Sequence, residues 1–415
     1  MIDRVHARRD TCRACGSERQ SSVLSLGDQP LANSFLDHPR QFATELRVPL
    51  ELFLCLDCGL VHLLDVVHPD VLFRSYVYVT GTSETMARHN EWYASTVREI
   101  AELADGDLVV EIASNDGSLL LNFDQSRFRR LGIEPARNIA EIARERGLDT
   151  IEEFFDERLA ETVRGKHGPA RAIMANNVLA HVDDTRAFLS GCRTLLAADG
   201  LLTIEVPYLG HMIEHVEYDT IYHEHLCYFA LSPLLRVFDE LDLSVTRVDH
   251  VPVHGGSLRI YARPAAFAGA HGAGTLRLAA RERQQGLTDE VRLRRFAAAV
   301  AKNRRRLLDL IDGIHGDGDS IVAYGAPAKG NTLLNYCGIG PDRIAYTVDM
   351  NPLKIGKFTP GAHIPVRPVA DLEVHPPDYL LILAWNFAEE IMGQQRFLRD
   401  RGTRFVLPIP EPRIL

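Results

Sequence analysis

Four cysteines carry the most specific chemical signal in this chain. Cys12 and Cys15 form one C-x-x-C pair and Cys55 and Cys58 a second, with 39 residues between the pairs. Each pair bends around one side of an ion, and four soft thiolates in a tetrahedron suit zinc. Such a set leaves no open position for a substrate, so the ion is structural. An iron–sulfur cluster also accepts four cysteines, and two unmetallated thiol pairs are the bland alternative. A second concentration of chemistry is Tyr222-His223-Glu224-His225. Histidine titrates near neutral pH and suits a general base, while tyrosine can donate to a developing negative charge. His211 and His215 crowd the same stretch, so a catalytic metal competes with a base. H-E-x-x-H is absent, and histidines two apart diverge on a helix, which favours the base.

Two further stretches look built for nucleotides. Leu108 to Gly117 reads L-V-V-E-I-A-S-N-D-G, an apolar strand and a turn of small residues before a helix start. Helix starts present backbone N–H groups to anions, and a strand, turn and helix in that order opens a nucleotide crevice. Ala113 and Asn115 stand where glycines are common, but Asn tolerates positive φ and can close the turn. Glu134 lies 23 residues after Glu111, at the end of the next strand in L-G-I-E-P, where an acid can meet ribose hydroxyls. Asn176 and Asn177 end another strand, and His181 follows. The second stretch is Gly325-Ala326-Pro327-Ala328-Lys329-Gly330, with Lys329 as a point charge for phosphate. It is not a Walker A loop, because Asn331 follows Gly330. Asp349, 24 residues after Gly325, keeps an NAD site open as a competing reading. Asn386, in A-W-N-F, follows the next strand.

These residues need a scaffold, and the hydrophobic pattern supplies one. The chain has 415 residues, 46% hydrophobic and 25% charged, enough for several domains with real cores. We read four regions: an irregular zinc-binding module over 1–70, an α/β core over 71–270, a helical linker over 271–318 and a second α/β domain over 319–415. Strand candidates at Asp107 to Ala113, Arg130 to Ile133, Ala172 to Ala175 and Leu201 to Val206 alternate with helical segments, which implies a parallel sheet. Ser244 to Val253 and Ser257 to Ala262 read as an antiparallel hairpin. Leu293, Phe296, Val300, Leu307 and Ile311 recur at helical spacing, and Arg304, Arg305 and Arg306 between them are either an anion site or a solvated face.

A formal charge of -10 argues against a general nucleic-acid binder. Residues Met1 to Asp10 hold no apolar stretch of signal-peptide type, and no apolar run approaches a membrane span. The expectation is a cytoplasmic protein with reduced thiols, away from membranes. With no long exposed coiled-coil pattern, a monomer is expected.

The order V-V-E-I-A-S-N-D-G, L-G-I-E-P and A-N-N-V-L-A-H-V-D-D resembles the class I, Rossmann-like methyltransferase fold that binds S-adenosylmethionine. With Y-D-T-I-Y-H-E-H-L-C-Y-F at 218–229 and G-A-P-A-K-G-N-T at 325–332, nearly the whole chain resembles the sugar C-methyltransferases of bacterial deoxysugar and antibiotic biosynthesis. These act on nucleotide-linked 4-keto-6-deoxyhexoses, as the dTDP-sugar C-3′-methyltransferases do. The resemblance implies that Glu111, Asn115 and Gly117 frame the methionine end of the cofactor, that Glu134 holds the ribose, and that Asn176 and Asn177 line the adenosine and methyl side. Tyr76, Ser83 and Thr85, in a segment similar to the family's, are implied as cofactor or substrate contacts. His225 is then the base, Tyr222 the donor to an enolate oxygen, Glu224 a group that orients or tunes a neighbour, and His181 a secondary candidate. Tyr222, His223, Lys329 and Asn386 are the implied sugar-nucleotide contacts. The reaction implied is methyl transfer to the carbon next to a C4 ketone, C3 favoured and C5 possible. A non-catalytic zinc-containing nucleotide sensor and an NAD-dependent sugar-nucleotide oxidoreductase or epimerase stay open as alternatives.

Overall fold

Strand β1, Leu108–Ile112, is buried at every position, as its unbroken L-V-V-E-I run requires of a parallel strand covered on both faces. It is an interior strand of a seven-stranded sheet with β2 (Arg129–Ile133), β3 (Thr150–Ile151), β4 (Ala170–Asn176), β5 (Leu196–Pro207), β6 (Leu243–Val251) and β7 (Ser257–Pro264). The strand order is β6-β7-β5-β4-β1-β2-β3. Strands β5, β4, β1, β2 and β3 run parallel, and β7 and β6 add an antiparallel end. The order reverses between β1 and β4, so a crevice opens beyond the carboxyl ends of those two strands. Helices Glu157–His167 and Thr185–Leu195 start where Asp156 and Asp184 accept the backbone N–H of Leu159 and Ala187, at 2.7 and 2.9 Å. The structure is a computed structural model, and it describes residues 5–74, 84–252 and 256–415, with backbone alone at 84 and 85.

The second α/β unit repeats the arrangement. Strands β8 (Ile321–Tyr324), β9 (Thr347–Asp349), β10 (Val366–Pro368), β11 (Tyr379–Ile382), β12 (Arg404–Leu407) and β13 (Arg413–Ile414) lie in the order β10-β9-β8-β11-β12-β13. All but β13 are parallel, and the order again reverses, between β8 and β11. The long helix Glu290–Gly316 buries Leu293, Phe296, Val300, Leu307 and Ile311. Arg304, Arg305 and Arg306 lie on its exposed side, with Arg306 paired to Glu411, so they form the solvated face. No helix among the described residues is long and apolar enough to cross a membrane.

The amino-terminal module is held together by a strand borrowed from the core. Gln20–Pro30, Arg47–Cys55 and Val61–Leu63 pair antiparallel, and the fourth strand is Cys227–Tyr228, from the end of the tyrosine–histidine motif. Cys227 sits opposite His62 and Tyr228 opposite Val61. Leu226 accepts the N–H of Leu63 and donates its own to Ala180, at 3.0 and 2.7 Å. The two C-x-x-C turns close alike: Gly16 donates to the Cys12 carbonyl and Gly59 to that of Cys55. Sulfur separations are 3.6 Å for Cys12–Cys58 and 3.6 Å for Cys15–Cys55, and all four sulfurs lie within 4.8 Å of one another. A tetrahedron with Zn–S bonds of about 2.3 Å sets its sulfurs about 3.8 Å apart, so the residues fit the zinc their sequence implied.

One core spans the units. Leu50 and Leu52 of the module, Tyr218 and Ile221 of the core, Leu293 and Leu307 of the long helix, and Ile321 and Leu333 of the last domain belong to a single apolar cluster. Zinc removal therefore reaches beyond the module. Stripping the ion with a chelator should lower the melting temperature by more than about 4 °C, at roughly 2–4 °C per kcal/mol. Amides of Leu226 to Phe229 should lose hydrogen-exchange protection together with those of Arg47–Cys55, measured by mass spectrometry.

Candidate active site

A cavity of about 600 Å³ opens where the three units meet. Its wall takes Asn33 and Val67 from the module, the ends of β1, β4 and β5 from the core, and Lys329, Lys354 and Asn386 from the last domain.

The core side is built by two turns in which non-glycine residues hold positive φ. Ala113 and Asn115 stand at +55° and +50° after β1, and Asn177 at +52° after β4. Glu134 locks the first turn: one carboxylate oxygen accepts the N–H of Asn115 at 2.9 Å and the other that of Ala136 at 2.8 Å. Each oxygen keeps a second lone pair, and the side chain borders the cavity. Burial pushes its carboxyl above the usual range, against the pull of those two N–H groups. Gly117 does not reach the cavity wall. At φ +76° a Cβ there would lie 1.9 Å from Leu148 Cδ1, so glycine suits both the backbone and the close approach of Leu148. Glu111 does reach it, 6% exposed, and one of its oxygens has no hydrogen-bond partner. Burial first, then Asp116 and Glu134, raise its carboxyl well above the usual range. Asn177 Oδ1 is a second buried orphan on the same wall. An acid at β2, an unpartnered carboxylate oxygen and an unpartnered amide fit the ribose, ammonium and sulfonium of S-adenosylmethionine.

Beneath this wall runs a buried network that the sequence reading missed. Asn176 Oδ1 and Thr203 Oγ1 lie 2.7 and 2.8 Å from the Tyr93 hydroxyl. Arg259, wholly buried, donates to Glu205 at 2.8 and 2.9 Å and stacks 3.6 Å over the Tyr93 ring. His89 is 3.3 Å from Glu205. Helical spacing of His89 and Tyr93 was the available signal, but nothing in sequence announced their partners on β5 and β7.

The motif at 222–225 splits into two faces. Tyr222 and His225 border the cavity. His225 Nδ1 lies 2.8 Å from the Thr220 carbonyl, which can only accept, so Nδ1 carries the proton. Nε2 lies 2.9 Å from the Tyr222 hydroxyl, and in the neutral ring it is the basic nitrogen, accepting that O–H. The His181 ring meets His225 edge-on, 4.9 Å between centroids, and borders the cavity too. Burial, reinforced by His225, drives His181 well below the usual histidine range. His223, expected at the substrate, points the other way: it is 1% exposed, with Nε2 3.1 Å from the Val48 carbonyl of the module. Glu224, expected among the catalytic groups, is also buried off the wall, accepting from Asn33 at 2.8 Å, and Asn33 is what reaches the cavity. Among the other histidines, His211 and His215 stack at 3.8 Å and His211 bonds Glu217 at 3.0 Å, off the cavity wall. Tyr76 and Ser83 lie outside the described residues, as does the side chain of Thr85.

The last domain faces the cavity with two lysines. Lys329 bonds Asn386 and lies 4.1 Å over the Trp385 ring. Burial pulls its ammonium down to about 8, against the opposing effect of Asp219 and Glu217. Lys354 donates to the Ala326 carbonyl at 2.8 Å. Asp349 repeats the device of Glu134, accepting the N–H of Ala326 at 2.7 Å and, on its other oxygen, that of Asn351 at 2.8 Å. Unlike Glu134 it does not border the cavity, which removes the acid that the NAD reading relied on. Asp219, absent from the sequence-based list, is fully buried and accepts from Trp385 Nε1 at 2.7 Å.

Comparison with known proteins agrees with this layout. Three family descriptions match in order: "Putative zinc binding domain" over residues 12–73, "Methyltransferase domain" over 86–248 and "C-methyltransferase C-terminal domain" over 252–410. C-methyltransferase NovU of Streptomyces niveus is 39% identical over 406 residues, covering 98% of this chain and 97% of NovU. Among solved structures, a S-adenosylmethionine-dependent methyltransferase from Clostridium acetobutylicum is 11% identical, with a TM-score of 0.35, over 43% of this chain and 91% of its own. Magnesium protoporphyrin IX methyltransferase from Synechocystis with bound cofactor is 13% identical, with a TM-score of 0.33, over 42% of this chain and 78% of its own.

The state of His181 gives a pH signature. Its folded pKa lies below the unfolded one, so below about pH 6.5 only the unfolded chain takes up the proton. Its contribution to stability should be complete above pH 6.5 and fall by up to about 1.4 kcal/mol per pH unit below it. In urea titrations at pH 5 to 8, His181→Gln should flatten that slope.

Proposed function

The chain belongs to the S-adenosylmethionine-dependent C-methyltransferases, with a zinc-binding amino-terminal module, and from that premise we propose that it methylates a carbon next to the C4 ketone of a dTDP-linked 4-keto-6-deoxysugar through an enolate. C3 is the favoured carbon. The observation that carries this reading is the setting of His225 on the cavity wall: Nδ1 lies against the Thr220 carbonyl and Nε2 lies 2.9 Å from the Tyr222 hydroxyl. Carbon is a poor nucleophile, and a C–H next to a ketone must be deprotonated before it can attack. A positioned histidine contributes about 10²–10⁴-fold to such a step.

Bound S-adenosylmethionine supplies a methyl group already made electrophilic by its sulfonium. Glu111, with its unpartnered oxygen, faces the positive end of that molecule, and Glu134 takes the ribose hydroxyls. Asn176 and Asn177 border the methyl and adenosine side. His225 Nε2 takes the proton from the sugar carbon, and the Tyr222 hydroxyl turns from Nε2 to the C4 oxygen as charge develops there. The Thr220 carbonyl keeps Nδ1–H in place and stabilises the imidazolium that forms. His181, held neutral, leaves that positive charge without a like-charged neighbour. Lys329, with Asn386, meets the phosphates of the nucleotide; Lys354 adds a second positive charge on the same side.

Incubation with dTDP-4-keto-6-deoxyhexoses in deuterated water tests the reading by mass spectrometry. The expected result is a gain of one methyl group with the cofactor present and deuterium exchange at the neighbouring carbon. His225→Asn should lower both by at least about 10²-fold while cofactor binding stays within twofold. Wild-type turnover in that variant would remove His225 as the base. Lys329→Ala should weaken sugar-nucleotide binding about tenfold or more and spare the cofactor, measured by calorimetry.

A further inference from the structure

The carbonyl that orients His225 belongs to a short turn, Tyr218–Thr220, which is held from the far side by the carboxy-terminal half of the chain. Tyr218 is fully buried, and its hydroxyl reaches Asn303 of the long helix at 3.1 Å. Asn303 in turn donates to the carbonyls of Pro408 and Pro410, at 3.0 Å each. The next residue, Asp219, accepts from the indole of Trp385 at 2.7 Å. The residue after that is Thr220, whose carbonyl holds His225 Nδ1 at 2.8 Å. Trp385 follows β11, beside Asn386 on the cavity wall, and its ring lies under Lys329. One indole therefore contacts the lysine that faces the substrate and the turn that aims the base.

We infer that Asp219 and Trp385 are positioning residues that couple occupancy of the carboxy-terminal side of the cavity to the orientation of His225. An anion drawn to Lys329 fixes the ammonium that lies over the Trp385 ring, and through it the ring. The indole N–H then pins Asp219, and the Thr220 carbonyl one residue on is held where Nδ1 needs it. Binding energy from the part of the substrate remote from the reacting carbon is in this way expressed at the base, raising the rate of proton removal as well as affinity. The inference rests on the substrate class proposed above.

The test reads proton removal alone, as cofactor-independent deuterium exchange into the keto-sugar at saturation. In Trp385→Phe, which keeps a ring under Lys329 but loses the N–H, the exchange rate should fall about tenfold. The concentration for half-saturation should stay within about twofold. Asp219→Asn, which keeps an acceptor oxygen for the indole, should retain more than about a third of the wild-type rate. An unchanged rate in Trp385→Phe, a loss confined to half-saturation, or an equal loss in Asp219→Asn overturns the coupling. The wild-type protein gives a check free of folding defects. The same keto-sugar as its methyl glycoside should exchange about tenfold more slowly at saturation and recover at least threefold when dTDP is added; no response to dTDP overturns the inference. If the intact dTDP-sugar undergoes neither exchange nor methylation in the wild type, the substrate reading fails and the coupling falls with it.

Discussion

The pairing of Cys227–Tyr228 with Val61–Leu63 is the contact on which the site depends. It makes the end of the tyrosine–histidine motif a strand of the zinc module's sheet. Register in such a pairing is specified by the buried face, since a slip of one residue would turn every side chain to the other side. Leu226 extends the tie by bonding both Leu63 and Ala180. His225, one residue upstream, and His181, one residue beyond Ala180, are thus held against each other by main chain. The structural metal acts at a distance here: it closes the loops that carry the sheet, and the sheet carries the base.

Arginines reinforce the same junction. Arg13, inside the first C-x-x-C turn, is buried and lies 3.3 Å from Asp183, which Arg9 also meets at 2.9 Å. Asp183 borders the cavity two residues after His181. Arg13 is buried but Asp183 is exposed, so solvent screens the pair and it adds little stability; its effect is to fix where Asp183 sits. The split of the 222–225 motif follows from the same junction. His223 and Glu224 satisfy the Val48 carbonyl and Asn33 of the module, which leaves Tyr222 and His225 turned to the cavity.

Local features were the most legible in sequence. The four cysteines announced their cluster by spacing, because a thiolate set needs only two short turns brought together. The parallel strands announced themselves as apolar runs, and the positive φ at Asn115 was readable from residue type. Ala113, in the same region of φ, was not, because nothing about alanine favours it; the surrounding turn imposes it. Long-range polar pairing was illegible for a different reason. Arg259, Glu205 and His89 are ordinary residues in sequence; the pairing of β5 with β7 sets Arg259 opposite Glu205, and the helix carrying His89 packs on β5. Asp219 was hidden inside a recognised motif because its partner, Trp385, lies 166 residues away. His223 was placed at the substrate because its neighbours were; a sequence does not say which way alternate residues of an irregular segment turn.

The borrowed strand also sets an order of assembly during synthesis. Both C-x-x-C turns leave the ribosome before the α/β core does, and zinc can gather them while that core is unmade. The sheet beside them cannot finish then, because its last strand is more than 150 residues further on. Until that segment arrives, Val61–Leu63 is an edge with unpaired N–H and C=O groups, open to pairing with another chain. Contacts so distant in sequence close slowly, and an exposed edge is hazardous while they do. The module is therefore a waiting half-structure whose completion coincides with completion of the base's own surroundings, so a molecule that has hidden its vulnerable edge has, by the same pairing, assembled the segment that carries its chemistry.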